Sequence, residues 1–139
     1  MIEISAVLIA SSACIVLMLG AIHLFYTFVG RKLHPRDAEL KTRLAQAPLM
    51  LTQETNMWQA WLGFNASHSV GALLFGALYG YLALMQSDLL FQSDFLLVLG
   101  LITLTGYVFL AKCYWFRIPF RGFSLAFVLY GSAIICECI

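Results

Sequence analysis

The chain has 139 residues, of which 62% are hydrophobic and 11% charged, with a net charge of +1 and a mean hydropathy of +0.89. Soluble domains carry about 25% charged residues, so a water-soluble globule of this length could not cover so much apolar side chain. The near-neutral charge leaves no basic surface for nucleic acid beyond short loops.

Four long apolar runs, separated by short polar stretches, predict membrane-spanning helices over residues 4–30, 58–85, 95–116 and 120–138. Each is near the roughly 20 apolar residues that cross a hydrocarbon layer. The first is too long for a signal peptide and lacks a basic leading region, so it reads as a retained helix. At 100° per residue, Ala13, Gly20, His23, Thr27 and Gly30 share one of its faces.

The loop 31–57 holds Arg31, Lys32, Arg36, Lys41 and Arg43. Pro35 is suited to open a short helix and Pro48 to close one. Between them Leu40, Leu44 and Ala47 fall on one face, with Lys41 and Arg43 elsewhere. That pattern predicts an amphipathic helix lying at the membrane surface. The favoured reading is a tie between two spans; the other is a docking surface for a partner or for anionic lipid. Glu54 lies one turn before Trp58, where the helix dipole favours a carboxylate. Were a site to open there to the cytoplasm, Glu54 would be its proton gate.

The second span contains "WLGFNASHSVG". Glu54, Trp58, Trp61, Asn65, His68, Ala72, Gly76 and Tyr79 share a face, and Ala72, Gly76 and Gly80 form a small-xxx-small ladder. In the loop that follows, "QSD" occurs at 86–88 and again at 92–94, and Ser93 or Asp94 is placed to cap the third span. The third span carries Gly100, Thr103, Tyr107, Ala111 and Tyr114 on one side. Tyr114, Trp115 and Phe116 form an interfacial belt, and Lys112 can snorkel out to the headgroups. The fourth span shows a weaker stripe of Ser124, Gly131 and Cys138. Cys14, Cys113, Cys136 and Cys138 offer no expected disulfide. The terminal "CECI" matches a prenylation box only superficially, because it follows a span and lacks upstream basic residues.

All eight basic residues fall in 31–43 and 112–121. The positive-inside rule makes that side cytoplasmic and puts both termini outside. With short connections and converging stripes, the expected fold is all-α: an antiparallel four-transmembrane-helix bundle, a single integral membrane domain over residues 1–139, with an interfacial helix between the first two spans.

His23 and His68 are the sharpest chemical feature. Counted from the predicted inner ends at 1.5 Å per residue, they lie roughly 10 Å and 15 Å deep, close enough in depth to meet. They could ligate the iron of a b-type haem, hold a metal with Glu54, or relay protons. Against these stands interhelical glue: Thr27 is one turn from His23 and Asn65 one turn from His68. Two ligands alone make a poor metal site. Trp58, Trp61, Phe75, Tyr79, Tyr107 and Tyr114 could line a pocket for a flat apolar ligand such as a quinone, a sterol or haem, or could simply be a packed core.

The stretches "GAIHLFYTF" and "MWQAWLGFNASHSVG" resemble small four-helix integral membrane proteins of bacteria that have no assigned activity. The resemblance covers mainly the first two spans and their loop. It implies a bacterial inner membrane and singles out His23, Thr27, Trp58, Trp61, Asn65 and His68. The expected function is that of a non-enzymatic membrane protein, an accessory subunit among other membrane subunits or a binder of a small apolar ligand. The alternative is a haem- or quinone-binding redox protein using His23 and His68. A small transporter comes third, because Glu3, Glu54 and Glu137 all sit at span ends.

Overall fold

A computed structural model describes residues 3–137. Six helices follow in order: α1 (Ile4–Phe28), α2 (Ala38–Gln46), α3 (Met57–Met85), α4 (Ser87–Phe91), α5 (Asp94–Tyr114) and α6 (Arg117–Glu137). The described residues contain no strand beyond an isolated bridge between Pro48 and Asn56. Helices α1, α3, α5 and α6 are each long and apolar enough to cross a membrane, and the chain is a multi-pass membrane protein.

Local chemistry fixes the helix ends. Gly30 adopts φ +84° just beyond α1, a left-handed stop that costs a residue without Cβ little. The first span thus ends at Phe28 rather than at 30, and Gly30 does not continue its inward stripe. Asp37, not Pro35, opens α2: its carboxylate accepts from the Glu39 amide at 2.9 Å, the usual role of an aspartate cap. Asn56 caps α3 by accepting from the Gln59 amide at 2.9 Å. Ser93 caps α5 as expected, accepting from the Leu96 amide. Pro119 sits in the first turn of α6, where a missing N–H leaves no helical bond unmade. The short helix α4, which lies between the two "QSD" stretches, was not foreseen.

The chain divides into two compact units. One comprises the described residues up to Leu19 and from Ala72 onward; the other is Gly20–Gly71. Helices α1 and α3 each contribute to both.

In the first unit, α1 meets α3 at Gly76. A Cβ there would lie 2.6 Å from Leu17 Cβ and 2.8 Å from the Ala13 carbonyl oxygen and the Leu17 nitrogen. Of the two glycines in the expected ladder, Gly76 makes the close contact. Gly80 has only Ala13 Cβ at an ordinary 3.8 Å. Ser12, fully buried, donates to the Ala126 carbonyl of α6 at 2.7 Å. Ser5 donates to the Glu137 carboxylate at 2.7 Å. These bonds satisfy hydroxyls that would be costly in hydrocarbon.

The centre of this unit is aromatic. Phe75 and Tyr79 stack at 4.5 Å between centroids, and Tyr130 meets Tyr79 edge-on at 5.7 Å. The Tyr79 hydroxyl donates to the Leu96 carbonyl at 2.6 Å, and Tyr130 donates to the Leu97 carbonyl at 3.2 Å. A helical carbonyl has a second lone pair for such a donor. Gly100 makes the approach feasible: a Cβ on it would collide with the Tyr130 hydroxyl. On α5 and α6, Tyr107 and Phe123 stack with centroids 4.7 Å apart and planes 9° from parallel.

The inward side of α6 corrects the expected stripe. Its buried residues are Phe123, Ala126, Tyr130 and Ala133, while Ser124 and Gly131 are half-buried. A search for small and polar residues overlooks a face built from aromatics and alanines. Cys138, the end of that stripe, lies outside the described residues, and so does any pairing of it. Tyr114, placed on the inward face of the third span, is exposed.

Candidate functional site

The second unit holds most of the residues singled out from sequence. Helix α1 supplies His23 and Thr27; helix α3 supplies Trp58, Trp61, Asn65 and His68. The two histidines, close enough in predicted depth to meet, are in contact. Their ring centroids are 5.6 Å apart, with planes at 85°, an edge-to-face contact.

A hydrogen-bond chain runs through the pair. His23 Nε2 lies 2.9 Å from Asn65 Oδ1, and Asn65 Nδ2 donates to the Trp61 carbonyl at 2.7 Å. The second bond fixes the amide, because a carbonyl can only accept. Asn65 Oδ1 then faces His23 as an acceptor, and His23 must carry its proton on Nε2. The remaining hydroxyls bond locally. Thr27 donates to the His23 carbonyl at 2.8 Å, Ser69 to the Asn65 carbonyl at 2.9 Å, and Ser67 to the Phe64 carbonyl at 3.0 Å. Thr27 and Ser69 are buried, and this back-bonding is how a helix carries hydroxyls without a partner helix.

The tryptophans serve the loop. Trp61 Nε1 donates to the Leu33 carbonyl at 3.2 Å. Trp58 meets His34 edge-on at 4.9 Å, and the Lys41 ammonium sits 5.0 Å from a Trp58 ring centroid. Lys41 Nζ lies 3.4 Å from His34 Nδ1. So Lys41 turns toward α3, although the helical pattern set it off the apolar face of α2. Leu40, expected on that face, is 44% exposed. Sequence reading missed His34, Leu33 and Lys41 as partners of the tryptophans. The available signal was a histidine and a lysine seven residues apart, with no periodicity linking them to α3.

His34 lies outside the spans, and its pKa is held below the ordinary 6.5 by partial withdrawal from water and then by the positive charges of Lys41 and Arg31. The sign follows. Neutral His34 can accept from Lys41, while protonated His34 cannot and repels it. The docking of this loop is therefore complete above pH 6.5 and weakens as pH falls through the depressed pKa. Tryptophan emission should change below neutral pH in the wild type and stay flat for His34→Gln over the same range. An identical transition in both would remove His34 as its cause.

Glu54 is exposed, in the turn before α3; its amide bonds the Thr52 hydroxyl. It lines an open polar cleft of about 350 Å³ with Gln46, Gln53, Asn56 and Gln59. Tyr79 and Tyr107, the two other candidate ligand residues, have the partners described for the first unit. Phe75 and Tyr79 are packed directly against each other.

Among the described residues, no group of three His, Cys, Asp or Glu side chains comes together as a metal would require. Compared with known proteins, the chain matches no family model, no curated protein and no solved structure.

Proposed function

We propose that this protein is a non-enzymatic interaction subunit of a larger complex in the bacterial inner membrane, folded as an antiparallel four-helix bundle. Loop 31–57 is cytoplasmic, α2 rests at the membrane surface, and both termini face outward. Sequential contacts support the bundle: Ala13 and Leu17 on Gly76, Tyr79 on Leu96, Tyr130 on Leu97 and Ser12 on Ala126. The clustering of all basic residues in two segments supports the orientation.

The observation that carries the reading is the engagement of His23 Nε2 by Asn65. The histidine most suited to chemistry spends its proton on a neighbouring helix. Interhelical bonds of this kind contribute about 0.6 kcal/mol on average, up to about 1.7, in a membrane. His23, Asn65 and Trp61 thus work as a clamp. The polar residues of "NASHS" hold helices and their own backbone, and the outward side chains of the spans are left for lipid and for partners. Exposed Phe25, Phe28, Phe64, Leu74 and Phe109 are of this outward kind.

Gentle solubilisation from the native membrane should release the protein in a particle much larger than its 15.5 kDa chain and its detergent belt. Recovery of free monomer alone, under conditions that keep known membrane complexes intact, would count against the proposal.

A second reading, a redox protein binding haem b or a quinone, draws on the 5.6 Å spacing of the two imidazoles. It requires His23 to leave Asn65 and present a deprotonated Nε2, so it exchanges the clamp for a ligand.

A further inference from the structure

We infer that the turn following α1 is a binding site for the phosphate of an anionic membrane lipid, formed by Arg31, Lys32 and Arg36. This goes beyond the interaction-subunit reading and rests only on α1 crossing the bilayer.

Three observations converge. The first is unbalanced charge. The stretch 31–43 holds five cations and two carboxylates, and both carboxylates are engaged. Asp37 caps α2, and Glu39 pairs with Arg43 at 2.6 Å. Among the described residues that is the one ion pair. Arg31, Lys32 and Arg36 are exposed, and none of them forms an ion pair with a described residue.

The second is a fixed backbone. Gly30 turns the chain at φ +84°, and the His34 amide closes a turn onto the Arg31 carbonyl at 3.1 Å. Trp61 holds the Leu33 carbonyl, and Trp58 abuts His34. The turn that displays Arg31 and Lys32 is thus anchored by two tryptophans. The Lys32 ammonium rests 3.8 Å from the Tyr26 ring centroid. A cation held over one aromatic face keeps donors for an anion on its other side.

The third is the adjoining surface. Phe25 and Phe28 on the last turn of α1, and Val29 just beyond it, are exposed. Apolar side chains followed in the chain by cations outside any ion pair match a lipid in both parts, acyl chain on the first and phosphate on the second. A soluble phosphate would have no use for the apolar half.

The test uses the full chain in an uncharged maltoside detergent. Native mass spectrometry follows adducts during titration with phosphatidylglycerol, phosphatidylcholine or inorganic phosphate. The site predicts retention of phosphatidylglycerol over phosphatidylcholine, screened by salt. Arg31→Gln, Lys32→Gln and Arg36→Gln should each weaken retention about fivefold, as expected for a cation near a lipid headgroup. A Lys112→Gln/Arg117→Gln/Arg121→Gln variant should leave it unchanged. Using three single variants guards against one that fails to fold. Equal retention of both lipids, equal loss in the 112–121 variant, or full competition by inorganic phosphate would each overturn the proposal.

Discussion

Gly76→Ala should lower the thermal stability of the purified protein more than Gly63→Ala or Gly80→Ala on the same helix. The new Cβ would sit 2.6 Å from Leu17 Cβ and 2.8 Å from two backbone atoms of α1. A flexible side-chain tip could swing away; backbone cannot, so the two helices must separate. Overpacking of this kind costs about 1–3 kcal/mol. In a bilayer the loss is felt directly, because helix association there depends on close packing rather than on escape from water. Gly63→Ala, on the same helix, is the control: nothing lies within 4 Å of its Cβ. Alanine at Gly63 gains helix propensity of up to about 1 kcal/mol, so that variant should melt at or above the wild-type temperature. Equal melting of the two variants would mean that α1 and α3 do not approach at Gly76.

Tyr130→Ala should be the most damaging truncation on α6. Tyr130 is the largest fully buried side chain among the described residues. It touches Phe75 and Tyr79 and donates to α5. Removing a buried aromatic costs about 3–5 kcal/mol through lost contacts and the cavity left behind. Tyr130→Phe keeps the ring and loses a long hydrogen bond, for a cost of about 1 kcal/mol or less. Tyr79→Phe removes the shorter bond to Leu96 and should cost more than Tyr130→Phe. Thermal denaturation in detergent ranks the three. A Tyr130→Ala protein as stable as wild type would show that α6 turns a different face inward.

These two sites mark what sequence could and could not reveal. Hydropathy located all four spans to within a few residues, because lipid demands long apolar runs with satisfied backbone. The inward stripes of α1 and α3 were legible because small and polar residues stand out against leucine and phenylalanine. Gly76, Asn65 and His68 were found that way. The stripe of α6 was not, because Phe123 and Tyr130 look no different in sequence from aromatics that face lipid. What marks Tyr130 as inward is Gly100 on another helix, and a pairing between helices has no trace in the periodicity of either. The pairing of His34 and Lys41 with Trp58 escaped for a related reason. A turn after Gly30 sets it, and turns carry no helical phase from which to project a side chain.

The candidate site divides the same way. Helical phase brought His23, Asn65 and His68 into one group, and the local partner foreseen for His23 is present in altered form. Thr27 bonds the backbone of His23 rather than its ring, and the ring reaches across to Asn65. Side-chain spacing along one helix could not decide between those two arrangements. Glu54, Tyr79 and Tyr107 shared the same faces, yet each has other neighbours.

The most direct test of the clamp is an optical spectrum of the protein, purified in mild detergent, recorded oxidised and then reduced. If Asn65 holds His23, the sample is colourless in both states, and His23→Ala and His68→Ala change melting temperature without changing the spectrum. A visible band that sharpens on reduction, and that disappears in either histidine variant, would contradict the clamp and make the pair a haem site.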